Sequence, residues 1–229
     1  MGREKNSGKR EEKMISVNIQ QFGTDVGTLN LVPGNKVYGE RLVKHGGQEY
    51  RIWDAYRSKI SAAIKLGLKK FPLSENSRIL YLGAGNGTSV SHLSDICNRG
   101  LIFAVENFSR PMVDLLRLSK SRQNIIPIFE DAHKPQHYSS LTSEVDFIVA
   151  DVAQRDQLDI LTKNAETFLK KGGIIYLSVK ARSIDVTLTP DKVFSNILAQ
   201  MAGKFNILES IKLDPYEKDH MCIVAQLII

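Results

Sequence analysis

The chain has 229 residues, of which 42% are hydrophobic and 24% charged, enough for one substantial domain with its own apolar core. It contains no apolar stretch of membrane-spanning length and its N-terminal residues lack an apolar signal core, so we exclude a membrane protein and expect a cytoplasmic one. The formal net charge of +6 suits a phosphate-rich partner, although charge alone leaves nucleic-acid binding undecided. Cys97 and Cys222 lie far apart in apolar contexts, so we expect no metal site.

The first 55 residues divide into two parts of different composition. Residues 1–13 are strongly charged and nearly free of apolar groups, which predicts a disordered basic leader. Residues 14–55 alternate apolar and polar side chains between glycine-containing turns, which predicts a small antiparallel β domain. Three roles stay open for this unit: it could stabilise the main domain, contact a partner or support self-association.

Residues 56–229 change to an alternation of helix-spaced and fully apolar segments. A helix is predicted over 57–71, ending before Pro72. Further along the chain we predict strands at 78–83, 101–106, 125–130, 145–151 and 173–180, and helices near 87–96, 110–121, 155–170 and 190–202. This alternation predicts an α/β fold, a Rossmann-like sheet of mostly parallel strands with helices on both faces. The last two apolar runs, 205–213 and 221–229, have no room for a crossover helix between them, so we expect an antiparallel pair at the sheet edge.

Three glycines on alternate positions, Gly83, Gly85 and Gly87, end the first strand of the main domain and open the next helix. Because glycine has no Cβ atom, a nucleotide or amino-acid group can approach such a backbone closely. The dinucleotide fingerprint is G-x-G-x-x-G, whereas the spacing here is G-x-G-x-G and Thr88 occupies the position of the last glycine. The spacing therefore favours another ligand over the cofactor of an NAD-dependent oxidoreductase.

Acidic residues follow the next strands of the predicted sheet. Glu106 ends the second strand, where a carboxylate can accept both hydroxyls of a ribose. Asp131 ends the third, where it could hydrogen-bond an adenine amine, and Asp151 ends the fourth. Each acid taken singly is typical of a helix cap or a turn. Together with the glycine loop they predict a nucleotide site outside the carboxyl ends of the strands.

Eight blocks of the sequence, in order along the chain, resemble the fibrillarin family in its short archaeal form. They read VYGERL, EYRIWDAYRSKISAAI, ILYLGAGNGTSVSHLSDI, NIIPIFEDAHKPQHY, VDFIVADVAQRDQ, NAETFLKKGG, VKARSIDVT and LDPYEKDHMCIV. The resemblance spans roughly residues 30–229. It implies an S-adenosylmethionine-dependent methyltransferase that modifies the ribose 2'-hydroxyl of ribosomal and transfer RNA inside box C/D guide ribonucleoproteins. The implied partners are a Nop-domain scaffold protein, a kink-turn-binding protein of ribosomal type, a box C/D guide RNA and the target RNA.

The resemblance also implies the residues that bind the cofactor. With the glycine loop included, they are Gly83, Ala84, Gly85, Gly87, Thr88, Ser89, Glu106, Asn107, Phe108, Asp131, Ala132, Asp151, Val152, Ala153 and Gln154. The chain departs from the usual family pattern after Glu106, where Asn107 precedes Phe108 instead of a phenylalanine preceding a serine. We therefore expect the aromatic contact to the adenosine to come from Phe108.

Four residues match the family's catalytic tetrad: Lys59, Asp151, Lys180 and His220. We assign Lys180 as the general base, Asp151 as the residue that orients it, and Lys59 as a positioning charge. His220 would orient the ribose or help to move the proton. The residues expected to contact RNA phosphates are Arg57, Lys59, Lys180 and Arg182.

Two other functions remain compatible with the sequence. A protein methyltransferase, acting for instance on a glutamine side chain, could use the same cofactor pocket. A non-catalytic module that holds RNA or the scaffold protein is the other alternative, although the presence of both Lys180 and Asp151 argues against it.

Overall fold

The computed structural model describes residues 18–228, so the leader predicted at 1–13 lies outside the described residues. A small sheet comes first in the chain, with strands β1 (Ile19–Phe22), β2 (Asp25–Leu29), β3 (Leu42–His45) and β4 (Gln48–Ile52). Its strand order is β1-β2-β4-β3 and every pair is antiparallel. The predicted antiparallel β unit is confirmed, while the domain limits of 14–55 and 56–229 stay a prediction.

The second sheet has seven strands in the order β10-β11-β9-β8-β5-β6-β7. Its strands are β5 (Arg78–Leu82), β6 (Leu101–Glu106), β7 (Ile125–Phe129), β8 (Val145–Ala150), β9 (Leu169–Lys180), β10 (Phe205–Lys212) and β11 (His220–Leu227). The five strands from β5 to β9 pair in parallel, whereas β11 runs antiparallel to both β9 and β10. The predicted Rossmann-like sheet with an antiparallel C-terminal edge is therefore confirmed.

Helices cover both faces of the larger sheet. They are α1 (Lys59–Lys65), α2 (Thr88–Ile96), α3 (Ser109–Ser121), α4 (Gln157–Phe168), α5 (Ala181–Ile184) and α6 (Pro190–Met201). One apolar core joins the sheet to side chains of α1, α2 and α3, and a second joins the opposite face to α4 and α6. Strand β8, in which every residue except Asp146 is apolar and buried, is typical of a sheet covered on both faces. Among residues 18–228, no helix combines the length and apolarity needed to cross a membrane.

Some element boundaries differ from the sequence predictions. The helix predicted over 57–71 ends at Lys65, because Gly67 adopts a positive φ of 100° that stops the helix. Strand β9 begins at Leu169, earlier than the predicted residue 173, and follows α4 directly. The sequence pattern did not predict the short helix α5 or a single 3-10 turn at Pro135–Tyr138. Both are short elements with too few residues to show a helical period.

A buried polar cluster joins the small sheet to α2. The Arg51 guanidinium in β4 donates from Nε to Glu40 (2.6 Å), from Nη1 to Asp95 (2.8 Å) and from Nη2 to the Ser91 hydroxyl (2.8 Å). Arg122 donates to the other oxygen of Asp95 at 2.6 Å. All five side chains are buried, and charges buried in this way are tolerated only when they are paired and hydrogen-bonded.

Candidate active site

Three neighbouring clefts lie at the carboxyl ends of the parallel strands, and all three are lined by Asp151. The largest has a volume of about 470 Å³. Of the residues expected to bind the cofactor, it is lined by Gly83, Glu106, Asn107, Phe108, Asp131, Ala132, Asp151, Val152, Ala153 and Gln154. The sheet therefore brings together residues from the ends of β5, β6, β7 and β8, as the carboxyl edge of an open α/β sheet does around a ligand.

The glycine loop forms a second cleft, of about 230 Å³, together with Arg57 and Tyr81. At Gly83, with a φ of +79°, a Cβ atom would lie 2.7 Å from the Asp151 carbonyl oxygen, so no other residue fits there. At Gly85 a Cβ atom would meet no atom within 4 Å, because this glycine faces open space. The loop thus offers a bare backbone to a ligand, which is the arrangement that the glycine spacing predicts.

Other loop residues have specific partners of their own. Gly87 does not line any of the three clefts, because it faces α3: a Cβ atom there would lie 2.5 Å from the Leu118 side chain. The Ser89 hydroxyl lies 2.9 Å from that of Ser58, the N-cap of α1. This contact connects the glycine loop to the first turn of the helix that carries Lys59.

Glu106 is held rigidly between the glycine loop and α3. Its carboxylate accepts hydrogen bonds from the backbone N–H groups of Gly85 and Phe108, both at 2.8 Å. The residue is only 6% exposed and lines the largest cleft. A carboxylate has about four acceptor positions, so two remain for a pair of hydroxyl groups.

Asp131 is bonded to His133, which was not among the residues predicted for the site. Its Oδ1 atom accepts from His133 N (3.0 Å) and lies 2.7 Å from His133 Nδ1, while His133 Nε2 lies 3.0 Å from Asp156. The hydrogen bond from the His133 backbone and the bond with its ring lower the pKa of Asp131. The bonds with Asp131 and Asp156 outweigh partial burial and raise the pKa of His133. Within residues 18–228, Oδ2 of Asp131 has no hydrogen-bond partner, so this oxygen could still accept from an amine.

The third cleft, of about 150 Å³, brings the four tetrad residues together. It is lined by Lys59, Asp151, Lys180 and His220, and also by Val152, Ala153, Ser178 and Glu217. Lys59 comes from the first position of α1, Asp151 follows β8, and Lys180 and His220 are directly paired across β9 and β11. Residues far apart in the sequence therefore meet beside the glycine loop.

Asp151 is paired with Lys59 and not with Lys180, which differs from the expected arrangement. The Lys59 ammonium lies 3.1 Å from Asp151 Oδ1. Burial lowers the pKa of Lys59, but the charge and hydrogen bond of Asp151 and the charge of Glu217 raise it more, so the net shift is upward. Within residues 18–228 the Lys180 side chain has no hydrogen-bond or ion-pair partner, and it is exposed. The geometry thus separates a paired lysine from a free one.

His220 is fixed by its own loop. The Nδ1 atom of the buried ring lies 2.7 Å from the Lys218 carbonyl oxygen, to which it donates, and 3.9 Å from Glu217. In a neutral ring whose Nδ1 carries the proton, Nε2 is an acceptor. Across the described residues, Nε2 of His220 has no hydrogen-bond partner. The ring can therefore accept one hydrogen bond from a hydroxyl group.

Ser178 and Glu217 line the same cleft, although the sequence did not predict them as site residues. Ser178 is 3% exposed, and its hydroxyl has no hydrogen-bond partner in the described part of the chain. Since side chains alternate along a strand, the position two residues before Lys180 lies on the same face. This two-residue alternation is the sequence signal that could have identified Ser178. Glu217 has no comparable signal, because it lies in an irregular loop.

The four residues expected to contact RNA are not all alike in position. Arg57 lines the glycine-loop cleft, with its guanidinium carbon 5.8 Å from the centre of the Tyr38 ring. Lys59 and Lys180 line the smallest cleft. Arg182, in contrast, lines none of the three clefts and is paired with Asp219 at 3.0 Å. The structure therefore brings three of the four to the clefts.

A sequence profile described as Fibrillarin matches residues 7–228 of the chain. The chain belongs to the fibrillarin family. One of its relatives, the fibrillarin-like rRNA/tRNA 2'-O-methyltransferase of Thermococcus gammatolerans, is 49% identical over 214 residues, which cover 93% of this chain and 95% of that protein. The family resemblance of the sequence blocks is thereby confirmed.

Two solved structures of fibrillarins are similar over most of the chain. The Aeropyrum pernix fibrillarin, solved with natively bound S-adenosyl-L-methionine, has a TM-score of 0.81 and 47% identity, and the match covers 88% of each chain. The fibrillarin of a fibrillarin/Nop5p complex has a TM-score of 0.87 and 42% identity, covering 94% of this chain and 100% of that one. In this member of the fibrillarin family, no group of three or more His, Cys, Asp or Glu residues suited to a metal ion occurs within residues 18–228.

Proposed function

We propose that the chain is an S-adenosylmethionine-dependent RNA 2'-O-methyltransferase that acts in the cytoplasm on ribosomal and transfer RNA. In this proposal it is the catalytic subunit of a guide-RNA-directed box C/D ribonucleoprotein. The observation that supports it best is the meeting of Lys59, Asp151, Lys180 and His220 in a cleft that shares Asp151 with the glycine-loop cleft. The name of its Thermococcus relative points to the same reaction.

The clefts suit S-adenosylmethionine both in the open space they leave and in their free hydrogen-bond acceptors. Gly85 leaves open space above the loop, where an amino-acid moiety would lie. Glu106 has acceptor positions left for the two ribose hydroxyls, Asp131 has a free oxygen for the adenine amine, and the exposed Phe108 ring provides an apolar surface for the base. When bound, the cofactor would supply an electrophilic methyl group, and S-adenosylhomocysteine would leave as the carbon–sulfur bond breaks.

The smallest cleft would receive the target ribose. The 2'-hydroxyl must lose its proton as its oxygen forms a bond to carbon, and a positioned base assists that step. Lys180 is the candidate base because no residue among 18–228 pairs with its amine, whereas Lys59 is held as a cation by Asp151. The Lys59 charge would stabilise the developing negative charge on the oxygen. His220 Nε2 would accept a hydrogen bond from the ribose and so orient it.

Selection of the target would come from other components. The proposed partners are a Nop-domain scaffold protein, a kink-turn-binding protein and a guide RNA that pairs with the target RNA. A related fibrillarin has been solved in complex with Nop5p, which supports the scaffold partner. The chain itself would supply phosphate contacts from Arg57, Lys59 and Lys180, and such contacts add affinity without reading sequence.

The experiment that tests this function is reconstitution. The chain is combined with the scaffold protein, the kink-turn protein, a guide RNA and S-adenosylmethionine, and methylated riboses in a complementary RNA are mapped by their resistance to alkaline cleavage. We expect one guide-specified ribose to be protected, and a shifted guide to move it. Methylation that ignores the guide, or transfer of the label to protein alone, would contradict the proposal.

A further inference from the structure

The small N-terminal sheet contacts one face of α2 closely. Ser91, His92 and Asp95 on that helix are completely or almost completely buried, and their spacing of one and four positions places them on one side of it. Backbone groups join in as well: Leu31 N donates to Asp95 at 3.0 Å. The Asn18 side chain donates to the Ile96 carbonyl oxygen, also at 3.0 Å.

His92 is the centre of this contact. Its ring stacks on Trp53 with centroids 4.9 Å apart, and its two nitrogens lie 2.7 Å from the hydroxyls of Thr28 and Tyr38. Burial, followed by the charges of Arg51 and Arg122, lowers the pKa of His92 well below its usual value, so the ring is neutral. A neutral ring with both nitrogens occupied fixes the side of α2 against the sheet.

A line of hydrogen bonds runs from the small sheet to the glycine loop. Arg51 Nη2 donates to Ser91 Oγ at 2.8 Å, and Ser91 Oγ donates to the Thr88 carbonyl oxygen, also at 2.8 Å. Thr88 is the first residue of α2 and lines the glycine-loop cleft. The N-cap residue, Gly87, has no side chain to hold this first turn. The bond from Arg51 through Ser91 therefore supports this turn from outside the helix.

We infer that the small sheet positions the glycine loop, with Arg51 acting through Ser91 to fix the first turn of α2. This inference rests on the proposed function, because the ligand of the loop is taken to be S-adenosylmethionine. A loop held in its binding conformation before the ligand arrives loses less conformational entropy on binding, and its affinity is higher for that reason. Neither Arg51 nor Ser91 lines any of the three clefts, so both are positioning residues.

The chain offers a matched pair of serines for the test. Ser91 and Ser94 are both completely buried on α2, and the hydroxyl of each accepts from an arginine, at 2.8 Å from Arg51 and 3.3 Å from Arg122 respectively. The Ser94 hydroxyl donates to the Asn124 side chain, whereas that of Ser91 donates to Thr88 in the first turn of α2. Ser91→Ala and Ser94→Ala should therefore lower the midpoint of thermal unfolding by similar amounts. Only Ser91→Ala should also disturb the glycine loop.

Binding of S-adenosylmethionine is measured by calorimetry for the wild type, Ser91→Ala, Ser94→Ala and Ser91→Thr. We expect the Kd to rise at least about fivefold for Ser91→Ala, to stay within about twofold for Ser94→Ala, and to recover in Ser91→Thr, which keeps the hydroxyl. Equal shifts for both alanine variants, or no shift for Ser91→Ala, would overturn the inference. If Ser91→Ala does not fold, Ser91→Cys takes its place with the same criteria.

Amide hydrogen exchange without the cofactor separates this inference from the proposed function. Opening of the first turn of α2 should speed exchange at the amide of residue 91, which donates to the Gly87 carbonyl oxygen, in Ser91→Ala but not in Ser94→Ala. A wild-type chain that fails to bind S-adenosylmethionine would contradict the proposed function, while the exchange rates would still decide whether the sheet positions the loop. Unchanged exchange in Ser91→Ala would refute the positioning role itself.

Discussion

The Lys59 ammonium and the Asp151 carboxylate form an ion pair of 3.1 Å at the junction of the three clefts. This ion pair makes Lys59 and Lys180, which line the same cleft, chemically different. Lys59 is held in its charged form, since the attraction of Asp151 outweighs the effect of burial on its pKa. Lys180 has no such partner within residues 18–228, and its amine is free to face a substrate.

Replacement of Lys180 tests its role as the base. We expect Lys180→Ala to lower turnover at least ~100-fold in the reconstituted particle, the usual scale for loss of general-base catalysis, with cofactor affinity unchanged. Lys171→Ala, at the exposed opposite end of β9, is the control and should keep normal turnover. Single-turnover rates provide the measurement, and a Lys180→Ala rate near that of the wild type would remove Lys180 from this role.

The ion pair makes a prediction about the titration of Lys59. In Asp151→Asn the attraction is lost while the burial stays, so the pKa of Lys59 should fall below its wild-type value. The raised pKa in the wild type means that the pair stabilises the fold below the unfolded lysine value of about 10.4, and that this contribution disappears as pH rises through the folded pKa. NMR of the Lys59 side chain in both proteins measures the shift. An identical titration curve in the variant would show that Asp151 does not hold the charge.

Phe108 should form the aromatic side of the cofactor cleft. Its ring is 66% exposed although it lines that cleft, and a bound base would cover it. We expect Phe108→Ala to weaken S-adenosylmethionine binding about fivefold or more, in line with the usual value of a base–aromatic contact. Its neighbour supplies the control, because Asn107→Ala should change the Kd less than about twofold. A larger effect at Asn107 than at Phe108 would reverse the assignment.

The ion pairs of Arg51 and Arg41 should contribute very different amounts to the stability of the fold. Arg51 is fully buried between Glu40 and Asp95, whereas Arg41 pairs with Asp25 at the surface. Arg51→Ala leaves the buried Glu40 carboxylate without its ion-pair partner and Asp95 with Arg122 alone, and it should cost about 3–5 kcal/mol of unfolding free energy. Arg41→Ala should cost less than about 1 kcal/mol. Urea unfolding of both variants decides this, and similar costs would mean that the buried cluster contributes little.

Most of the fold could be predicted from hydrophobic periodicity and glycine spacing. Fully apolar strands separated by helix-spaced segments predicted the parallel sheet, and a short connection predicted the antiparallel edge of β10 and β11. The carboxyl ends of parallel strands lie at one edge, so Glu106, Asp131 and Asp151 could be grouped from their positions in the chain alone. These are local patterns, and local patterns are readable from one sequence.

Partner choice among charged side chains was decided only by tertiary structure. Asp151 could pair with either lysine, and the structure brings the Lys59 ammonium at the start of α1 to within 3.1 Å of it. The close approach of the Leu118 side chain decided that Gly87 packs against α3. The docking of the small sheet onto α2 formed the buried network of Arg51. Such contacts join residues far apart in the chain, and they depend on distances of a few ångströms that no periodicity encodes.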